Sequence, residues 1–289
     1  MPSTYNDLYL DTRRVLKKEG VESASLEARE IVCCAANKNK EEFYRDSRLY
    51  ASPEIEEKVQ DLLERRLQGE PVAYLVGEWE FYGLPLVITP DVLIPRDDTE
   101  VLAQTAIDYL RECEGNVRVL DLCTGSGCVG LAIASQIERC RVVLADLSEE
   151  ALRIARMNVR TNHLQNRTAV MQVNALEAPP ANLDGFRCIV SNPPYIPSGD
   201  IATLDPSVRS YEPQMALDGG EDGLDFYRAI TQKWKDALVP GGRLLFELGI
   251  GQADDVMRLM RSEGFGDLEL FEDTQGISRV ISGTLYTEI

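Results

Sequence analysis

The chain predicts an α/β fold: a Rossmann-like, mostly parallel seven-stranded sheet closed by an antiparallel C-terminal strand pair, with a small N-terminal helical bundle joined to it by a β-hairpin. Three observations predict it. The first seventy residues carry helical periodicity without strand-like alternation. From residue 117 onward, apolar runs alternate with amphipathic helical patterns, which implies parallel strands and right-handed crossovers. The last two runs, 267–272 and 278–286, are separated only by a short loop, so they must pair antiparallel.

Taken in order, residues 4–18 and 25–36 read as amphipathic helices. Ser52-Pro53 supplies an N-cap and first-turn proline, and Glu54, Glu56 and Glu57 load that turn with favourable negative charge. Ile55, Val59, Leu62, Leu63 and Leu67 follow at helical spacing, and Gly69 stands at the helix end. In the stretch 75–95, Trp79, Phe81, Tyr82, Leu84, Leu86 and Ile88 alternate around Gly83-Leu84-Pro85, a hairpin signature. Strands are then expected at 117–122, 141–146, 168–173, 186–191 and 242–248. Helices are expected at 98–112, 128–137, 148–161, 222–238 and 252–263. The domain reading is 1–74 for a helical recognition domain, 75–95 for the linking hairpin and 96–289 for the α/β domain.

Composition narrows the chemistry. At 289 residues, against about 150 per domain, two domains are expected. A net charge of −18 argues against wrapping a nucleic-acid backbone, whose affinity comes from Lys and Arg on phosphates. The single histidine, His163, removes Ser-His-Asp hydrolases and histidine zinc sites, and its Thr-Asn-His-Leu setting reads as a helix end. No metal site is expected. The seven cysteines form no CxxC pair and read as free thiols in a reducing compartment, with the vicinal Cys33-Cys34 a structural pair. No secretory signal and no long apolar run are visible, so a cytoplasmic protein is expected.

Strand 117–122 runs into Asp121-Leu122-Cys123-Thr124-Gly125-Ser126-Gly127-Cys128-Val129-Gly130, a GxGxxG loop opening a helix. Asp146 ends the next strand, twenty-one residues after Gly125, where a carboxylate can accept from ribose hydroxyls. This pattern suits an adenosine-type cofactor, NAD or S-adenosylmethionine, or else a ligand-free turn. Asp121 would repel a pyrophosphate but not an ammonium and sulfonium, and the antiparallel strand pair also leans toward S-adenosylmethionine. After the fourth strand comes Asn192-Pro193-Pro194-Tyr195. The Asn192 side-chain oxygen and the Pro193 carbonyl are two acceptors able to hold a planar NH₂ group, and Tyr195 can pack on its π face.

Together, DxxTGSG and NPPY resemble the amino-directed class I S-adenosylmethionine-dependent methyltransferases. Gly77 to Phe81 (GEWEF), Leu93 to Glu100 (LIPRDDTE), Asp121 to Gly127 and Ser191 to Tyr195 extend the likeness to the release-factor glutamine methyltransferase (HemK/PrmC-like) family. Tyr211-Glu212-Pro213 with Ala216-Leu217 resembles a further family segment. Cys123 replaces the usual loop glycine, and Asp97 the usual proline, where it reads as an N-cap. The resemblance implies N5-methylation of the glutamine in the Gly-Gly-Gln motif of class I peptide-chain release factors. By it, Asp121, Cys123, Thr124, Gly125, Ser126, Gly127, Asp146, Asn174, Ala175 and Asn192 contact S-adenosylmethionine. Asn192, Pro193, Pro194 and Tyr195 hold the substrate amide, with Asn192, Pro193 and Tyr195 as the catalytic set. Arg96, Thr99 and Glu100 either border the cofactor or cap a helix start.

The expected partner is the release factor, with no direct nucleic acid, no membrane and a monomeric enzyme. A glutamine of a large-subunit ribosomal protein and an exocyclic amine of a nucleic-acid base remain as alternative substrates, since each presents a planar NH₂. A non-catalytic NAD-sensing module is the alternative outside enzymes.

Overall fold

A computed structural model describes residues 2–286. The chain divides into two compact units: residues up to Glu78 together with Pro206–Tyr211, and Trp79–Asp205 together with the chain from Glu212 onward.

The first unit is helical. Its helices are α1 (Tyr5–Lys18), α2 (Ala24–Ala36), α3 (Lys40–Asp46), α4 (Pro53–Leu67) and α5 (Val72–Val76). Helix α2 is central, packing on α1, α4 and α5 and burying Ala28, Ile31 and Val32 completely. Glu27, also buried on α2, forms an ion pair with Arg66 of α4 at 2.6 Å. Ser52 occupies the N-cap of α4, but its side chain makes no cap bond; its hydroxyl pairs with the Glu54 carboxylate instead. Gly69, with φ of 102°, closes α4 at its left-handed end position. The short α3 and α5 escape sequence reading because too few turns exist to show a period.

The second unit opens with a hairpin, β1 (Glu78–Phe81) and β2 (Leu84–Val87). Tyr82 and Gly83 both have positive φ, 53° and 73°, as a two-residue type I′ turn requires. A 3-10 turn at Asp97–Thr99 leads into α6 (Glu100–Glu112). Asp97 lies inside that turn, whose cap position is Arg96, so the N-cap reading of Asp97 is corrected. Then follow β3 (Val117–Leu122), α7 (Cys128–Gln136), β4 (Cys140–Asp146), α8 (Glu149–Thr161), β5 (Thr168–Gln172) and β6 (Phe186–Ser191). Short α9 (Pro206–Tyr211) belongs to the first unit. The chain finishes with α10 (Asp225–Lys233), β7 (Leu238–Glu247), α11 (Ala253–Ser262), β8 (Phe265–Glu272) and β9 (Ser278–Leu285).

The seven strands β3 to β9 form one sheet in the order β5-β4-β3-β6-β7-β9-β8. Five are parallel; β9 runs antiparallel to both β7 and β8. The chain starts at the middle of the sheet, moves outward through β4 and β5, then returns to the other side of β3 with β6. Strand order therefore reverses between β3 and β6, and a crevice opens outside their carboxyl ends.

His163 explains the end of α8. Its φ is 56°, its N–H bonds the Arg160 carbonyl, and the Leu164 N–H bonds the Val159 carbonyl, the paired bonds of a Schellman ending. The only histidine is thus a helix terminator.

One face of the sheet packs a core of Phe186, Tyr227, Ile230, Trp234 and Phe246, with the Tyr227 and Phe246 rings edge to face at 5.2 Å. Trp234 is fully buried and its indole N–H donates to the Ala175 carbonyl at 3.1 Å. Trp234→Phe removes that donor and leaves a buried carbonyl unpaired, a cost of about 1–3 kcal/mol. Calorimetric unfolding should show the melting temperature lower by several degrees.

Candidate active site

Strand β3 places Asp121 and Leu122 at the crevice, and loop 123–127 turns the chain into α7. Asp121 is buried, and its Oδ2 accepts from the Thr124 hydroxyl at 2.6 Å and from the Gly130 N–H at 2.9 Å. The loop is thus wrapped around a carboxylate. Gly130 is required by close approach: a Cβ there would lie 2.2 Å from Leu144 Cδ2 and 2.9 Å from Asp121 Oδ2. Cys123 holds φ of 63°, a left-handed conformation that favours glycine, so its backbone keeps the shape that the usual residue would give. Burial pushes the Asp121 carboxyl up to about 7, against the pull of the Thr124 and Gly130 bonds.

Asp146, at the end of β4, accepts from the Gly125 N–H at 2.8 Å through Oδ2 and from the Ser148 N–H at 3.0 Å through Oδ1. Burial raises its pKa while the N–H groups of Gly125, Ser148 and Leu147 hold it down. Each oxygen has a second lone pair, so acceptor capacity for ribose hydroxyls is left. Asn174 uses Oδ1 on the Leu176 N–H at 3.0 Å and Nδ2 on Glu177 at 3.1 Å.

Beyond β6, Asn192 to Tyr195 are pinned from below. Ser191 donates to the Leu122 carbonyl at 2.6 Å, tying β6 to β3. The Ile196 N–H bonds the Leu217 carbonyl at 3.0 Å, and the Tyr195 carbonyl accepts from Gln252 at 2.9 Å. Gly223 (φ 75°) lies so close that a Cβ there would be 2.3 Å from the Tyr195 carbonyl oxygen. Burial pushes the Tyr195 hydroxyl up to about 12, so it is a neutral ring at physiological pH.

A cavity of about 370 Å³ brings these parts together. Among the residues singled out from sequence, Asp121, Cys123, Thr124, Gly125, Ser126, Asp146, Asn174, Ala175, Asn192 and Pro194 line it. Gly127, Pro193 and Tyr195 do not; a Cβ at Gly127 (φ 87°) would lie 3.3 Å from both Leu131 and Leu144. Thr99 lines the cavity and receives Asn192 Nδ2 on its hydroxyl at 3.4 Å. Arg96 and Glu100 do not line it. Arg96 pairs with buried Glu212, and Glu100 accepts from the Tyr82 N–H at 2.7 Å.

Sequence reading passed over Leu147, Leu176, Met215 and Phe226 in the lining. Leu147, Leu176 and Met215 are large apolar side chains left exposed around one cavity, as a pocket for a flat apolar ring demands. Leu147 had a signal, since it follows the strand-ending Asp146 directly.

The sheet order, with its antiparallel last strand pair and a glycine loop at the carboxyl end of the first strand, is that of a methyltransferase domain. Among the described residues, no helix is long and apolar enough to cross a membrane. Residues 7–77 match the family described as "PrmC N-terminal domain", and 99–204 match "Methyltransferase small domain". The chain is 40% identical over 274 residues to a release factor glutamine methyltransferase of Geobacter sulfurreducens, covering 95% of this chain and 94% of that one. A release factor glutamine methyltransferase of Clostridium acetobutylicum is 38% identical over 221 residues, covering 76% of this chain and 77% of that one. The solved structure of a methyltransferase from Pyrococcus furiosus shares the fold, with a TM-score of 0.52 at 17% identity over 79% of this chain and all of that chain. The chain belongs to the release factor glutamine methyltransferase family.

Asp121 gives a pH test. Because its folded pKa is raised, the folded state holds a proton that the unfolded state releases above its ordinary value near 4. The stability attached to this group is present at low pH and lost as pH rises from about 4 to about 7. Asp121→Asn keeps the acceptor and removes the titration. Urea unfolding at several pH values should find the variant gaining on wild type across that window, by on the order of 2–4 kcal/mol at pH 7.

Proposed function

We propose that this chain transfers a methyl group from S-adenosylmethionine to the side-chain amide nitrogen of the glutamine in the Gly-Gly-Gln motif of class I release factors. The observation that carries the reading is that the NPPY segment and the glycine loop meet at one cavity, in a chain 40% identical to a release factor glutamine methyltransferase. When bound, the cofactor supplies an electrophilic methyl group. Asp146, and Asp121 where it is ionised, favour a positively charged ligand there over a pyrophosphate, whose charge they would repel. The residues assigned to it are Asp121, Cys123 to Gly127, Asp146, Asn174 and Ala175, with Asn192 at the substrate end. Leu147 and Leu176, which line the same cavity, would flank its base.

An amide nitrogen is a weak nucleophile because its lone pair is shared with the carbonyl. The task of the protein is therefore orientation, and good positioning lowers a barrier by about 7–11 kcal/mol. Asn192 Oδ1 and the Pro193 carbonyl hold the substrate NH₂; Pro194 stiffens the turn and Tyr195 packs on the amide face. Both acceptors bind more strongly as positive charge builds on the nitrogen, which is the difference that accelerates the step. The departing proton goes to water, so no histidine base is needed. The helical N-terminal unit docks the release factor, and the enzyme acts as a cytoplasmic monomer.

Incubation of purified enzyme and cofactor with a class I release factor, followed by peptide mass spectrometry, should show one added methyl on the Gly-Gly-Gln peptide. An unmodified peptide, with the methyl found instead on ribosomal protein or on nucleic acid run in parallel, would refute the assignment. Asn192→Ala should abolish transfer while calorimetry finds cofactor affinity largely kept. Wild-type turnover by that variant would remove Asn192 from its role.

A further inference from the structure

Glu247 ends β7 one residue beyond Phe246, which is paired with Ser191, so it stands beside Asn192 at the mouth of the crevice. Its side chain does not line the cavity. It is only 4% exposed, and its Oε2 has no hydrogen-bond partner among the described residues. An incompletely paired buried carboxylate weakens a fold, so its presence calls for another reason.

The groups facing it come from several elements. The polar side chains of Thr99 and Asn192 face the carboxylate and favour its charged form, and Asn192 Nδ2 donates to the Thr99 hydroxyl at 3.4 Å. Arg279 on β9 and Asp98 in the 3-10 turn act on it through charge. Arg279 is itself held by Asp98 at 2.9 Å and Asp273 at 2.8 Å, so it neutralises Glu247 only in part. The Tyr195 and Tyr227 hydroxyls and the Cys128 thiol are also near, and burial keeps all three neutral. The Tyr227 hydroxyl donates to the Glu247 main-chain carbonyl at 2.9 Å and leaves the carboxylate alone. Burial outweighs these neighbours and pushes the Glu247 carboxyl up to about 7.

Asn192 has two chemically opposite ends, and only its oxygen can hold a substrate NH₂. Its terminal torsion is nearly two-fold, so neighbours must choose which end faces the cavity. Thr99 does not choose alone, because a hydroxyl both donates and accepts. An ionised carboxylate only accepts. It draws the Thr99 O–H toward itself and so turns the Thr99 lone pairs to Asn192 Nδ2, which donates there at 3.4 Å. We propose that Glu247 is a positioning residue that fixes the flip of the Asn192 amide, by its charge beside Asn192 and through Thr99, so that Oδ1 faces the substrate. This rests on the assignment of Asn192 as the amide acceptor.

Glu247→Gln tests it, since glutamine keeps the shape but both donates and accepts, and so satisfies either flip of Asn192. With a class I release factor as substrate, kcat should fall about tenfold, the scale on which outer partners of an oriented group act. Cofactor affinity by calorimetry should be unchanged, and the melting temperature equal or higher, because a buried charge has gone. In wild type, kcat should fall as pH drops through about 7, where the carboxyl gains a proton and becomes a donor. That acid limb should vanish in Glu247→Gln and return, with part of kcat, in Glu247→Asp. Wild-type kcat in Glu247→Gln, or a lowered kcat that keeps the acid limb, overturns the proposal. If Asn192→Ala is inactive in the same assay, such a result removes Glu247 alone. If Asn192→Ala turns over normally, the underlying reading of the site falls instead.

Discussion

The parallel pairing of β3 with β6 is the constraint on which the site depends. Leu122 stands opposite Ser191, and the Ser191 hydroxyl bonds the Leu122 carbonyl at 2.6 Å, so both strands end at the same height. Each strand then releases its loop into the crevice left where strand order reverses. The glycine loop and the NPPY segment are seventy residues apart in sequence and adjacent only because of this one ladder. Elsewhere in the unit, contacts serve to hold those two loop ends still. Gly130 lets α7 close on β3, and residues 217–223 with Gln252 brace the chain that leaves β6.

Three carboxylates surround the crevice, and burial raises the pKa of each: Asp121, Asp146 and Glu247. They differ in how they are satisfied. Asp121 and Asp146 take hydrogen bonds from hydroxyl and main-chain donors of their own loops, so they shape the backbone and still contribute negative potential. Glu247 has an oxygen without a partner among the described residues and lies behind the NPPY segment.

Much of this was legible in the sequence. All seven sheet strands overlap apolar runs, and β3, β4 and β6 stand out most because a parallel strand buried on both faces is apolar nearly throughout. The boundaries shifted where the chain lacks a cap. Helix α10 occupies only Asp225–Lys233 of the expected 222–238, and β7 begins at Leu238, since a 3-10 turn takes the residues between. Single buried polar residues were not legible. Asn158 looks like one more helix residue, yet it is fully buried and joins Val87 to the Ser126 carbonyl of the glycine loop. Glu247 looks like an ordinary strand end. Their roles come from what the fold places opposite them, and that is set by residues far away in the chain.

The composition now has a structural meaning. A chain with one histidine, used to terminate a helix, has no imidazole near the cavity. The Tyr195 hydroxyl is held neutral by burial. The NPPY segment is held by main-chain and Gln252 bonds on one side and by Thr99 on the other. Under the proposed function, the site has to hold an NH₂ group in a single orientation while charge develops on it. That matches the chemistry of an amide nitrogen, which needs alignment more than a strong base. The acidic surroundings work in the same direction, since a developing positive charge is stabilised by the negative potential already present before the reaction begins.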